Sequence, residues 1–264
     1  MMKVPDIFFN CSILKRYDIL LLILIYTFNK KTKRIMLFGL GPAGKDMEQG
    51  FVSKIGKSLA SQCDDNKKVS TCSLVLPAAF SVDDAPLSDL SSEFYSTLYS
   101  DNRYRTGAKI SKKAEDLASI TIVAEGGVSD VSAASAALES GKNLAVGVAL
   151  CKDIVNAPHN VLNSESLANA AKRIADESGG LIKCTILGKE ECEARGMGAY
   201  LGVARGSETQ PQFIHLTYTP KSGNVLKKVG IVGKGLLFDT GGYNIKTAGM
   251  ELMKFDCGGS VSFT

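Results

Sequence analysis

Short apolar runs alternate with amphipathic stretches along this chain, a pattern typical of an α/β fold. In the first half, three runs predict strands: residues 35–38, 72–77 and 120–123. Residues 51–60 predict a helix despite Gly56. The alanine-rich residues 132–155 predict a long helix, interrupted at Gly141, that joins two domains.

The same alternation continues in the second half, from about residue 153. Asn163 is a good N-cap for an amphipathic helix over residues 164–178, and Gly179 ends that helix. Three segments predict strands: residues 182–187, 213–218 and 229–232. Residues 189–195 predict a short helix, and residues 236–238 form one more short apolar run.

The N-terminal region contains a strongly apolar segment, residues 19–28, with basic residues on both sides. As a helix, ten residues would span about 15 Å, half of a bilayer's hydrocarbon core. The length also fits the apolar region of a secretory leader, but a basic run follows instead of a small-residue cleavage site. We therefore expect residues 1–34 to be an atypical extension that is foreign to the following domain. Membrane binding is not favoured, although a weak membrane association stays open as an alternative.

Composition indicates a globular protein with enough apolar surface for a core, since 45% of the 264 residues are hydrophobic and 22% are charged. The net charge of +4 is small and dispersed, so no nucleic-acid partner is predicted. Seven cysteines without CxxC spacing favour reduced thiols in a cytosol-like compartment over a disulfide framework or a structural zinc site. His159 and His215 are too few for a histidine-based zinc centre, and we predict structural roles for both.

Residues 39–44 match the G-x-G-x-x-G fingerprint of dinucleotide-binding proteins, directly after a predicted strand. However, Pro42 constrains the turn, and no acidic residue ends a second strand about 20 residues later. A nucleotide-binding protein is therefore the weakest of the interpretations kept open here.

The candidate chemistry lies near the C-terminus, where Lys234, Asp239, Lys246 and Asp256 are interspersed with glycines. Two carboxylates and two lysines on backbone that can approach a ligand closely could hold hard divalent cations and polarise a carbonyl. The alternative is a pair of strands that carry solvated charges at their ends.

Residues 232–260 resemble the metal-binding signature of the M17 leucyl aminopeptidases, two-metal exopeptidases that remove N-terminal residues. The similarity also covers three upstream segments: residues 153–162, 197–204 and 211–216. In all it spans about residues 34–260 and is plant-like. It implies an N-terminal macro-like α/β domain over residues 35–150, followed by the start of an α/β aminopeptidase catalytic domain over residues 151–264.

This resemblance implies that Lys234, Asp239 and Asp256 are metal ligands and that Lys246 is a catalytic electrophile. A lysine binds a metal only as the neutral amine, and a neighbouring dication and partial desolvation both favour that form. Lys246 would stay protonated and stabilise the oxyanion that forms at the scissile carbonyl. The family further implies two zinc or manganese ions, peptide N-termini as substrates, a homo-hexamer, and a cytoplasmic or, alternatively, plastid location.

The chain departs from the family pattern in three ways. Thr240 replaces the usual Ser and Cys257 the usual Met, and the loop over residues 247–255 is shorter than expected. The family's later Asn-Thr-Asp-Ala-Glu-Gly-Arg motif, which supplies further metal ligands and an arginine, is absent. We therefore expect at most one weak metal site, and a truncated metallo-aminopeptidase that is inactive and does not form the hexamer. The alternative is a non-catalytic truncated product that acts, if at all, by binding a partner.

Overall fold

The computed structural model describes residues 19–28, 32–42, 50–66, 69–76, 84–124 and 126–262. The chain divides into two compact units, residues 1–146 and 147–264. Both helices and strands are present, and the predicted α/β class is confirmed. Within the described residues, no helix is long and apolar enough to cross a membrane.

Within its described residues, the first unit contains a mixed four-stranded sheet and three long helices. Its strands are β1 (Ile19–Phe28), β2 (Thr32–Pro42), β3 (Val69–Leu76) and β4 (Ser119–Ala124), in the spatial order β2-β1-β3-β4. Its helices are α1 (Phe51–Asp65), α2 (Asp84–Leu98) and α3 (Val131–Asn156), the last of which continues into the second unit. β1 pairs antiparallel with β2 and β3, whereas β3 and β4 are parallel.

One core holds this unit together. It is formed by one face of α1, by alternate residues of β3, and by the inner face of α2. Leu59, Leu74, Leu76 and Leu87 are its largest fully buried aliphatic side chains. Burying one such leucine contributes about 1.5–3 kcal/mol.

The predicted interruption of the long helix at Gly141 is wrong, because α3 runs unbroken from Val131 to Asn156. Gly141 instead allows α3 to pack closely against α2. A Cβ added to Gly141 would collide with the backbone oxygen of Ser88 in α2, and one added to Gly56 would collide with that of Leu90. A glycine within a helix lowers the stability of that helix by only about 0.5–1 kcal/mol relative to alanine. The alanine-rich residues on either side of Gly141 favour the helix and offset this small loss.

Two sequence features of the N-terminal region lie within this sheet. Residues 19–28, assigned above to an extension that is foreign to the following domain, form a β-strand with partners on both sides. Residues 39–42 lie within β2, which is antiparallel to its neighbour, whereas the dinucleotide fingerprint requires a turn after a parallel strand. The rest of that motif, residues 43–44, lies outside the described residues.

The second unit contains short elements. Its helices after α3 are α4 (Ser164–Glu177), α5 (Lys189–Ala194), α6 (Gly198–Ala204) and α7 (Gly258–Val261), with a 3₁₀ helix at Met250–Phe255. Two antiparallel strands, β5 (Ile182–Leu187) and β6 (Phe213–Tyr218), form its sheet. A small core contains Ile154, Leu162, Leu167, Cys257 and Val261.

Local signals in this unit predicted its helix ends well. The Asn163 Oδ1 accepts a hydrogen bond from the Ser166 N–H at 2.8 Å, and the Ser166 Oγ accepts one from the Asn163 N–H at 2.9 Å. This reciprocal capping box fixes the start of α4. Gly179, with φ of 63°, follows the C-cap residue Ser178.

The strand predicted over residues 229–232 is wrong, and the apolar run at residues 236–238 is not a strand either. No helix or strand occurs between the end of β6 and the 3₁₀ helix, a segment that the structure describes throughout. Val229 and Val232 are 78% and 95% exposed. An apolar run becomes a strand only when a neighbouring strand satisfies its backbone N–H and C=O groups, and the described residues supply none here.

Candidate metal centre

Lys234 is positioned by close backbone packing against the start of α7. Its carbonyl oxygen accepts the Ser260 N–H at 2.9 Å. A Cβ added to the preceding Gly233 would lie 2.5 Å from the Gly259 oxygen and 2.5 Å from the Ser260 Cα. Only glycine therefore permits this approach, which brings the Lys234 Nζ to 3.2 Å from the Asp256 Oδ2.

Asp239 and Lys246 are brought together by a glycine turn. Gly241 and Gly242 have φ values of 86° and 70°, and the Lys246 N–H returns to the Thr240 carbonyl oxygen at 2.9 Å. Side chains other than glycine rarely adopt such φ values. The Asp239 Oδ1 accepts the Gly241 N–H at 3.0 Å and lies 2.7 Å from the Lys246 Nζ.

The two ion pairs influence each other electrostatically. The hydrogen bond from Lys246 holds the pKa of the Asp239 carboxyl below its ordinary value, and the Gly241 N–H and the more distant charge of Lys234 act in the same direction. The structure therefore brings the four residues predicted from the sequence together as two ion pairs, Lys234 with Asp256 and Lys246 with Asp239. Their side chains are between 32% and 56% exposed, so solvent and ligands can reach them.

The sequence did not predict the contact between Lys246 and Met253. The Lys246 Nζ lies 3.0 Å from the Met253 Sδ, and Met253 is nearly buried in the 3₁₀ helix. The same helix is anchored by Lys254, whose Nζ donates to the Ala157 carbonyl oxygen at 2.5 Å. Nothing in the spacing of Met253 marks it as a neighbour of Lys246, because the contact depends on the fold of the intervening loop.

The donor set resembles that of a hard cation site. Among the described residues, no three His, Cys, Asp or Glu side chains cluster as metal ligands, and the groups that lie close together here are a lysine amine and a carboxylate in each ion pair. Two ligands on one ion with bonds of about 2.1 Å lie about 3.0–3.4 Å apart. The separation of 3.2 Å between the Lys234 Nζ and the Asp256 Oδ2 is compatible with that geometry.

The two histidines make contacts with other residues. The His159 ring centroid is 4.9 Å from that of Phe238, and His215 lies in β6 opposite Thr185. The six cysteines that the structure describes are all free thiols.

Comparison with known proteins gives consistent matches. Residues 149–264 match the model of the cytosol aminopeptidase family, catalytic domain. A probable cytosol aminopeptidase of Rippkaea orientalis is 36% identical over 236 residues, which are 89% of this chain and 45% of that protein. Leucine aminopeptidase 1 of Arabidopsis thaliana is 36% identical over 238 residues, 88% of this chain and 44% of the relative. The chloroplastic leucine aminopeptidase 2 of Oryza sativa subsp. japonica is 37% identical over 237 residues, 87% of this chain and 38% of the relative.

The structure itself aligns with a mutant of tomato leucine aminopeptidase at a TM-score of 0.72 and 26% identity, covering 90% of this chain and 44% of that one. The chain thus spans a little less than half the length of these relatives. The resemblance seen in the sequence is confirmed: residues 149–264 match the catalytic domain of the cytosol aminopeptidase family, a family of metal-dependent aminopeptidases, and relatives named as cytosol or leucine aminopeptidases align with most of this chain.

Proposed function

We propose that the chain belongs to an enzyme that uses divalent metal ions to release N-terminal residues from peptides. One observation carries this proposal: Lys234, Asp239, Lys246 and Asp256 form two ion pairs inside the region that matches the family. Cytosolic and chloroplastic names both occur among the relatives, so we propose a cytoplasmic location with a plastid as the alternative.

In this proposal Lys234, Asp239 and Asp256 bind the metal, and residues 35–150 form the family's N-terminal domain. A bound dication would supply Lewis acidity at the scissile carbonyl and would hold the free amino group of the substrate. The oxygens of Asp239 and Asp256 are hard donors that suit zinc, manganese or magnesium. Lys234 would have to release its proton and its contact with Asp256 before its amine could bind the metal.

Lys246 is proposed as the electrophile. A lysine ammonium has three N–H donors, and in this structure one is directed to Asp239 and one to Met253. The third donor remains available for an oxyanion that develops on the substrate. Removing one such donor costs about 10²–10³ in rate in well-studied enzymes.

Three candidate ligands are too few for two metal ions with complete coordination shells. We therefore propose that the described residues hold at most one divalent ion, weakly. Hydrolysis of leucyl-anilide substrates by the 264-residue chain should be negligible, and robust activity that a chelator abolishes would overturn the one-ion proposal.

Calorimetric titration with Mn²⁺ and with Zn²⁺ tests the ligand assignment. We expect weak binding of at most one equivalent, lost in Asp256→Ala and in Asp239→Ala. Glu251→Gln is the matched control for Asp256→Ala. It removes an exposed carboxylate from the 3₁₀ helix that Asp256 caps, and it leaves every proposed ligand in place. Lys246→Ala should also retain metal.

Two tight equivalents per chain would refute the proposed stoichiometry. Equal metal binding by Asp256→Ala and Glu251→Gln would refute the assignment of Asp256. Loss of metal in Lys246→Ala would show that this lysine is a ligand and not the electrophile.

A further inference from the structure

The 3₁₀ helix at Met250–Phe255 is linked to both ion pairs of the candidate metal centre. Its Met253 side chain is nearly buried, and the Met253 Sδ accepts a hydrogen bond from the Lys246 Nζ at 3.0 Å. Asp256 follows the helix directly and donates its N–H to the Met253 carbonyl oxygen at 3.1 Å, while its carboxylate pairs with Lys234. A shift of this helix would therefore move the carboxylate of one ion pair and the neighbour of the other together.

One side chain fastens this helix to the end of α3. The Lys254 Nζ donates to the Ala157 carbonyl oxygen at 2.5 Å, a contact between residues that are 97 positions apart in the sequence. Ala157 follows the last residue of α3 and donates its own N–H to the Ile154 carbonyl oxygen at 3.1 Å. The carbonyl group that Lys254 contacts therefore lies at the negative end of α3.

Charge and burial both favour this contact. A lysine ammonium beside the last carbonyl groups of a helix is stabilised by the helix dipole, and hydrogen bonds from charged donors are roughly twice as strong as neutral ones. Ala157 is 5% exposed, so without Lys254 its carbonyl group would lie buried and short of a partner. Lys254 itself is half-buried, which limits the competition from water.

We propose that Lys254 is a positioning residue of the candidate metal centre: by holding the 3₁₀ helix against the end of α3, it fixes the places of Asp256 and Met253. The inference rests on the proposed function, in which Asp256 binds the metal and Lys246 is the electrophile. Lys254 touches neither the metal nor the substrate in this assignment, because its ammonium group is directed to Ala157. Residues that orient metal ligands without binding the ion typically contribute about 10–100-fold to metal affinity.

Mn²⁺ titration and methionine-methyl NMR of the 264-residue chain test the proposal together. In Lys254→Leu, which keeps an apolar side chain but removes the donor, the affinity for Mn²⁺ should fall about 10–100-fold. In the same variant without metal, the Cε methyl resonance of Met253, assigned through Met253→Leu, should shift toward the position of a solvent-exposed methionine. Lys254→Arg retains a charged donor and should restore most of both properties.

Asn163→Ala is the matched control, because it weakens the same unit through the α4 cap and leaves the contacts of the 3₁₀ helix in place. It should change neither the Mn²⁺ affinity nor the Met253 methyl resonance, and urea unfolding establishes that each variant is folded. Lys254→Gln, with a shorter and uncharged donor, should fall between Lys254→Leu and Lys254→Arg, and it provides the test if Lys254→Leu does not fold.

The two measurements separate this proposal from the metal assignment. The role of Lys254 is overturned if its loss leaves the Met253 methyl resonance unchanged, or if Asn163→Ala alters Mn²⁺ affinity and the resonance equally. If the unaltered chain binds no Mn²⁺ while Lys254→Leu still displaces the Met253 methyl group, the metal assignment fails and the role of Lys254 in holding the helix stands. If the chain binds Mn²⁺ and Lys254→Leu binds it equally well, the metal assignment stands and the positioning role fails.

Discussion

The packing of Gly233 against the start of α7 makes Gly233→Ala the sharpest structural test of the candidate metal centre. The added methyl carbon would lie 2.5 Å from the Gly259 oxygen, 2.5 Å from the Ser260 Cα and 2.7 Å from the Gly259 carbon. All three atoms belong to backbone, so rotation of a flexible side chain cannot relieve the contact.

The size of the effect follows from these distances. Favourable contacts between heavy atoms lie at about 3.5–4.0 Å, so the two segments must separate by about 1 Å. Overpacking of this kind typically costs about 1–3 kcal/mol in the free energy of unfolding. Each kcal/mol lowers Tm by about 2–4 °C for a chain of roughly this size. The same displacement separates the Lys234 Nζ from the Asp256 Oδ2, so metal affinity should fall together with stability.

Gly230→Ala is the matched control, because a Cβ there meets no atom within 4 Å. Its effect should stay within about 0.5 kcal/mol. Thermal unfolding and Mn²⁺ titration of both variants give the comparison, and Gly235→Ala, whose Cβ would lie 3.3 Å from the Ser260 Oγ, should fall between them. If Gly233→Ala matches Gly230→Ala in both measurements, the close approach of Gly233 to α7 does not hold the site together.

Three further predictions concern the scaffold. Gly141→Ala should destabilise the chain by about 1–3 kcal/mol in denaturant unfolding through its clash with α2, whereas Gly147→Ala in the same helix meets nothing within 4 Å and should stabilise it by about 0.5–1 kcal/mol. Asn163→Ala should cost about 0.5–2 kcal/mol through loss of the α4 cap, and Asn163→Asp should not. The hydrogen bond from Arg103 lowers the pKa of Asp101, so carboxyl NMR should show that pKa rising in Arg103→Gln. The stabilisation from this pair is present above the ordinary Asp pKa and lost as pH falls through the lowered value.

Elements defined by neighbouring residues could be predicted from the sequence. β5 and β6 have the predicted bounds, and α4 begins after Asn163 as expected, because alternation and capping are local signals. The errors arise where the local structure depends on a segment that is distant in sequence. Gly141 was predicted to interrupt the helix, but α3 continues through it and α2 packs against it. Residues 229–232 have the composition of a strand but no partner strand among the described residues.

The candidate site also combines features that the sequence predicts with features that depend on the fold. Lys234, Asp239, Lys246 and Asp256 could be selected from a resemblance, but how they pair could not. Spacing alone does not say that Lys246 lies against Asp239, seven residues earlier, while Lys234 meets Asp256, 22 residues later. That arrangement depends on the positive φ of Gly241 and on the close packing of Gly233.

Loops, turns and one 3₁₀ helix hold the chemical groups of this site, and none of the strands in the described part of the chain contains them. Such segments have few backbone hydrogen bonds to resist local opening, so they belong to the less stable part of a fold. The two ion pairs are also partly exposed, and exposed pairs contribute little to stability. The close contacts made by Gly233 and the turn at Gly241 and Gly242 must therefore supply most of the order. A metal that binds Asp239 and Asp256 would add bonds stronger than these ion pairs, and its binding free energy would stabilise the loops that hold its ligands.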